Sequence, residues 1–247
     1  MAILIALVGR IHQNASPPPP TFNMEGRNVI ITGGNQGIGY ATASFLAKQG
    51  ALVILTSRNE ERAQVAAYKI NKQEGCKGRA LGMQLDLDSL QNVNEFADKI
   101  LDGFDFIDVL IFNAGYVPPN VKTLPKTKNG FERSFGVNVV AHQILLQRLA
   151  PLLKPRHGKN TKYLARVITV SSISYIAAQM DHFKDLRSFP EIDYANQIAY
   201  ARSKAANIIL AAELARRNKE ILSFSVNPVT HFPRTSCTSS LKVHLIF

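Results

Sequence analysis

Tyr200-Ala201-Arg202-Ser203-Lys204 sets a phenol and an ammonium four positions apart, a spacing that puts both on one face of a helix. An ammonium about 4 Å from a phenolate, at an effective dielectric near 20, is worth roughly 4 kcal/mol, enough to lower a phenol pKa of about 10 by up to about three units. A phenol so lowered can work as a general acid or base near neutrality. The same spacing recurs at Tyr68-Lys69-Ile70-Asn71-Lys72, so the pattern by itself selects nothing. The earlier copy has no companion residues and reads as helix surface. The later one has company: Ser171-Ser172, Asn113-Ala114-Gly115 and Asn138 precede it.

A second chemical signal is Thr32-Gly33-Gly34-Asn35-Gln36-Gly37-Ile38-Gly39, which follows a short apolar run and opens a segment containing Ala41, Phe45 and Leu46. Glycines let a backbone turn tightly and approach a pyrophosphate, and a helix N-terminus offers free N–H groups and partial positive charge. Strand before and helix after make this the setting of a dinucleotide site. At the end of the next apolar run, where a carboxylate would meet a free ribose 2′-hydroxyl, stands Thr56-Ser57-Arg58-Asn59. A guanidinium there pairs with a 2′-phosphate and Ser57 adds a donor, so NADP(H) is expected over NAD(H).

These residues need elements to hold them. From Asn28 onward, β-branched runs alternate with segments of helical period, the pattern of parallel strands joined by crossover helices. Strands are expected at Asn28 to Thr32, Leu52 to Ser57, Arg79 to Leu85, Val109 to Asn113, Arg166 to Ser171 and Leu222 to Val226. Val137, Val140, Ala141, Ile144 and Leu145 recur at helical spacing, as do Ala205, Ile208, Ala212 and Ala215, and both stripes read as core. The fold class is α/β, a doubly wound, mostly parallel sheet with ligands at the carboxyl ends of its six strands.

The chain has 247 residues with 46% hydrophobic and 19% charged, which suits one sizeable core and excludes general disorder. Cys76 and Cys237 are too few for a disulfide framework or a four-thiolate metal site. His182 and His231 lack carboxylate partners at ligand spacing, and no metal is expected. The net charge of +11 collects partly at Lys154, Arg156, Lys159 and Lys162, read as a solvated loop at the amino ends of the strands. No aromatic interleaving or finger spacing points to nucleic acid, and anionic lipid is the one partner such a loop would suit. Residues 1–23, with the run Pro17 to Pro20, read as an extension ahead of the folded body. The apolar start is shorter than the roughly 20 residues that span a bilayer, so a cytoplasmic, membrane-peripheral location is expected.

Taken together in chain order, these motifs resemble the short-chain dehydrogenase/reductase family over Met24 to Pro228. Ala199-Tyr200, Ser203-Lys204-Ala205-Ala206-Asn207 and Glu213-Leu214-Ala215-Arg216-Arg217 resemble its retinol-dehydrogenase-like branch, fungal relatives included. The resemblance implies a hydride-transferring oxidoreductase that interconverts an apolar alcohol with its ketone or aldehyde. Tyr200 would be the proton donor or base, and Ser172, with Ser171 as the alternative, would bond the same oxygen. Lys204 would lower the phenol pKa and hold the nicotinamide ribose, and Asn138 would anchor a relay water. The cofactor would lie along Gly33, Asn35, Gln36, Gly37, Ile38 and Gly39, with Ser57 and Arg58 at the 2′-phosphate. Asp86 and Leu87 would border the adenine, Asn113, Ala114 and Gly115 the inner ribose, and Tyr200, Lys204 and Pro228 the nicotinamide end. The stretch from Ile173 to Ala199 carries Tyr175, Ile176, Met180, Phe183 and Phe189, which suit either an apolar substrate beside the pocket or the core.

The resemblance weakens after the sixth strand. Pro228 is followed by Val229 instead of glycine, and Pro233 stands where the family carries a threonine. The tail from residue 229 reads as a shortened, atypical end, too brief for both the substrate-binding helix and the seventh strand, although Lys242 to Phe247 would suit an edge strand. From this follow two further expectations, weak turnover and a readiness to associate with a partner or a second copy. A cofactor-binding, catalytically silent protein is the alternative function.

Overall fold

The computed structural model describes residues 22–119, 125–157, 162–178, 196–229 and 242–246. Its first half alternates β1 (Asn28–Ile31), α1 (Gly37–Lys48), β2 (Leu52–Ser57), α2 (Glu60–Asn71), β3 (Arg79–Gln84), α3 (Leu90–Gly103) and β4 (Val109–Phe112). Strand side chains point alternately to opposite faces, and the apolar run Asn28–Ile31 shows it. Val29 and Ile31 pack with Ala43 and Ala47 of α1, while Ile30 faces Phe96 and Ile100 of α3. Both faces are therefore covered, as a parallel sheet requires.

The chain continues through a short α4 (Arg133–Phe135), a π-helical turn Gly136–Val140, and α5 (Ala141–Leu149). A two-stranded hairpin, β5 (Arg156–His157) with β6 (Lys162–Tyr163), leads to β7 (Ala165–Val170), and α6 (Asn196–Arg217) leads to β8 (Ile221–Val229). Finally β9 (Lys242–Ile246) pairs antiparallel with β8. The sheet order β3-β2-β1-β4-β7-β8-β9 places six parallel strands with a reversal between β1 and β4. Their carboxyl ends diverge there and leave a crevice, the place where such sheets bind ligands. The six strands expected from sequence are all present, and β9 adds an antiparallel edge beside β8 where Lys242 to Phe247 suited one.

Two expectations need correction. β8 runs to Val229 instead of ending at Val226, because Asn227 to Val229 pair with β9 beyond the last rung shared with β7. Pro228 is tolerated there since one side of the strand has no ladder to donate to. The basic segment is also not merely a solvated loop. Arg156 Nη1 lies 3.1 and 3.2 Å from the two carboxylate oxygens of Asp108, and its guanidinium stands 3.6 Å from the Phe106 ring centroid. Arg27 meets the same carboxylate at 2.9 Å and covers the Tyr163 ring at 3.9 Å. Asp108 is nearly buried, so it recruits these cations as its counter-charge. In the α6 stripe Ala205 is buried but Ala212 is exposed, the inward face running instead through Ala201, Ala205 and Ala211.

At the amino end Phe22 packs edge-on against Phe45 at 5.7 Å, so the folded body begins slightly before Met24. No helix among the described residues is long and apolar enough to cross a membrane.

Candidate active site

The turn after β1 is shaped by three glycines. Gly33 and Gly37 adopt φ of +66° and +56°, in the left-handed region that favours glycine. At Gly39 the constraint is space: a Cβ would lie 2.3 Å from Gly33 O and 2.5 Å from Asn113 Nδ2. Gln36 precedes α1 without a side-chain cap, and the first turn carries no acidic residue. A backbone cradle with the positive end of a helix beneath it and no competing carboxylate in the first turn fits a pyrophosphate.

Asn35, Gln36 and Gly37 also line a cleft of about 600 Å³ between α1 and α2, where Arg62 and Lys69 supply cations beside Glu61. Arg58 is exposed at the end of β2, just outside that cleft, and its carbonyl accepts from Gln84 Nε2 at 3.1 Å. Ser57 is buried and accepts from Asn59 N at 3.3 Å, leaving its own proton to donate. Asp86 is less free than expected. Its carboxylate meets Lys128 Nζ at 2.9 Å and accepts from Asp88 N at 3.1 Å, while Leu87 is buried.

Asn113 ties the crevice together, its Nδ2 donating to Thr32 O at 2.9 Å and Gly33 O at 3.1 Å. Gly115 then passes close to α6, where a Cβ would stand 3.4 Å from Lys204 Nζ and 3.5 Å from Asn138 Oδ1. Asn138 lies in the π-helical turn, a widened geometry frequent at functional sites. Its amide is fully engaged: Oδ1 accepts from Tyr116 N at 2.6 Å, and Nδ2 donates to Tyr116 O at 3.1 Å and Ser203 Oγ at 2.9 Å. The side chain thus positions a loop, and a relay through Asn138 would have to use its backbone carbonyl, which also meets His142 Nδ1 at 3.1 Å.

The two serines separate cleanly. Ser171 is buried and donates to Lys204 O at 2.8 Å, a purely structural bond that fastens β7 to α6. Ser172 is half-buried and hydrogen-bonds the Tyr200 phenol. Ser172, Tyr200, Lys204 and Asn138 are therefore gathered at the ends of β4 and β7.

Charge in the site differs from the simple expectation. Lys204 is 3% exposed and donates to Val170 O at 2.8 Å, its Nζ standing 5.5 Å from the Tyr200 ring centroid. The ammonium stands beside the ring, and burial pulls its pKa down to about 8. Burial pushes the Tyr200 phenol above its ordinary value, and the Ser172 hydrogen bond only partly offsets this. Desolvation outweighs the expected ammonium effect, because it acts on both partners and weakens the cation itself.

Sequence reasoning missed Thr32, Tyr116, Ser203 and His142. Ser203 was visible between Tyr200 and Lys204, but its role depends on Asn138, far away in the chain. Met180, Phe183, Phe189, His182 and His231 lie outside the described residues. Tyr175 packs against Ala178, Ala201 and Ala205, whereas Ile176 is exposed beside the site.

The short chain dehydrogenase family profile matches residues 27–182. Retinol dehydrogenase 14 of Mus musculus is 38% identical over 205 residues, covering 78% of this chain and 57% of its own length. A short-chain dehydrogenase/reductase of Armillaria gallica is 35% identical over 220 residues, covering 86% and 69%. Among solved structures, a Pseudomonas aeruginosa RhlG/NADP active-site complex superimposes with a TM-score of 0.61 at 26% identity, covering 83% of this chain and 71% of that one. The chain spans little more than half the length of the mouse retinol dehydrogenases 14 and 13, 57% and 56%.

Proposed function

The chain belongs to the short-chain dehydrogenase family, and from that premise we propose that it is an NADP(H)-dependent oxidoreductase interconverting an apolar alcohol with its ketone or aldehyde. The observation that carries this reading is the meeting of the Ser172 and Tyr200 hydroxyls beside buried Lys204, across the crevice from the glycine turn. Bound in that turn, NADPH would supply a hydride to a carbonyl carbon. Tyr200 donates its proton to the carbonyl oxygen, and Ser172 hydrogen-bonds the same atom and fixes its direction. Burial holds the Tyr200 phenol above its ordinary pKa, in keeping with a role as proton donor. Lys204 lies close enough to stabilise the phenolate as the proton leaves.

Arg58 supports the 2′-phosphate, with Arg62 and Lys69 adding positive potential from α2. An apolar substrate is supported by Val117, Ile173 and Ile176, exposed on the loops that follow β4 and β7. NADPH oxidation across aldehydes and ketones of graded size tests the reading. Saturable turnover that rises with apolar bulk is the expected result; NADPH binding with no turnover on any carbonyl would favour a silent, cofactor-binding protein.

A further inference from the structure

His142 is buried between β4 and the π-helical turn, stacked on Phe112 with ring centroids 4.6 Å apart. Both nitrogens are engaged, Nδ1 with Asn138 O at 3.1 Å and Nε2 with Thr32 Oγ1 at 3.0 Å. A carbonyl only accepts, so Nδ1 carries a proton. The Thr32 oxygen leads independently to the same tautomer. It accepts from Asn113 N and Ala114 N, each at 3.0 Å, which uses both of its lone pairs. Of the two acceptors near the Thr32 hydroxyl, Ile111 O at 3.5 Å and Nε2 at 3.0 Å, the nearer is Nε2, which therefore takes its proton. A second proton on the ring would point at an oxygen with no lone pair to receive it.

These bonds close a ring. Thr32 holds Asn113 and Ala114, Asn138 holds both backbone groups of Tyr116, and His142 joins Thr32 to Asn138. Gly115, the residue lying against Lys204, sits in the middle of the span held from both ends. We propose that His142, as a neutral Nδ1–H imidazole, is a positioning residue that closes this ring and so fixes Gly115 and the Asn138 carbonyl relative to Lys204. The inference deepens the reductase reading and rests on it for its kinetic consequence, but not for its geometry.

Two measurements test it. The imidazole nitrogen resonances of the unmodified protein, taken without cofactor or substrate, should show Nδ1 protonated and Nε2 as an acceptor. Kinetically, His142→Phe keeps the stacking volume and Thr32→Val keeps the shape, yet each opens the ring. Each should lower kcat by roughly ten- to a hundredfold, as a small misplacement of reacting groups does, with KM for the carbonyl little changed. Thr32→Ser should restore kcat, and the double variant should lose no more than either single one, because the ring is already open. An Nε2–H tautomer, unchanged kcat in folded Thr32→Val, or losses that multiply would overturn the proposal. Failure of the reductase reading itself would appear separately, as NADPH binding without turnover of any carbonyl by the unmodified protein, and leaves the resonance test intact.

Discussion

Lys204 holds its Nζ 5.5 Å from the centroid of the Tyr200 ring, and Lys72 stands at almost the same separation from Tyr68, 5.6 Å. The helix imposes this distance on any such pair, so distance does not distinguish a site from a surface. Burial does, since Tyr68 is 64% exposed while Lys204 is nearly inaccessible and Ser172 bonds the Tyr200 phenol. Tyr200→Phe should therefore lower turnover by about 10² to 10⁴-fold, the usual worth of a positioned acid, with NADPH affinity retained. Tyr68→Phe should change neither, and an equal loss in both variants would remove the assignment.

Arg58 is exposed at the end of β2, where its guanidinium is available to an anion. Arg58→Asp should shift preference toward NADH by about ten- to a hundredfold, the worth of a charge-assisted hydrogen bond. Arg62 and Lys69 remain in the adjoining cleft, so some NADPH affinity should survive. An unchanged ratio of NADPH to NADH dissociation constants would exclude Arg58 from the 2′-phosphate.

Steric necessity makes a sharper case at Gly39. An added Cβ would collide with Gly33 O and Asn113 Nδ2 together, so Gly39→Ala must displace either the turn or the β4 loop. NADPH affinity should fall by at least about tenfold, since a small misplacement at a binding turn is costly. Gly103→Ala, at a helix end with nothing within 4 Å of the added atom, should bind normally. Normal binding in both would mean that the turn does not cradle the cofactor.

The glycine turn, the six strands and the pairing of Tyr200 with Lys204 were legible because each is local: a φ requirement, a period of two, a spacing of four. What escaped the sequence depends on partners far along the chain. Arg156 looked like one more solvated cation, since its carboxylate is Asp108 and its aromatic neighbour Phe106. His142 occupies the same helix face as Asn138, four residues on, but nothing in that spacing reveals Thr32 on β1. The choice between Ser171 and Ser172 stayed open for a related reason: adjacent residues point to opposite sides, and only the position of α6 says which side is the site.

Asp108 offers a test of stability apart from catalysis. Arg27, Arg156 and the backbone N–H of Asn28, at 2.8 Å, all converge on one nearly buried carboxylate at the amino ends of the strands. Asp108→Ala should cost about 2 to 3 kcal/mol, below the full range for a buried pair because both arginines are partly exposed. Arg156→Ala should cost about 1 kcal/mol or less. Urea unfolding measures both, and NADPH affinity should not move. Neutral substitution at Asp108 would show that the cluster is incidental.

His142 also predicts how stability depends on pH. Burial, and secondarily the charge of Lys204, pull its pKa down to about 4 from an ordinary 6.5, against the raising effect of the Asn138 carbonyl. The folded protein therefore binds fewer protons than the unfolded chain between those values. The sign follows: this group costs nothing above pH of about 6.5, and its penalty grows as pH falls toward about 4, reaching about 3 kcal/mol. Below that both states are protonated and the contribution levels off. Acidic side chains add their own slope, so the readout is the difference between the unmodified protein and His142→Phe, followed by urea unfolding. That difference should shrink steadily as pH falls through this window, because phenylalanine takes up no proton in either state. A difference independent of pH would mean that the imidazole titrates alike folded and unfolded, which a ring enclosed by Thr32, Asn138 and Phe112 should not do.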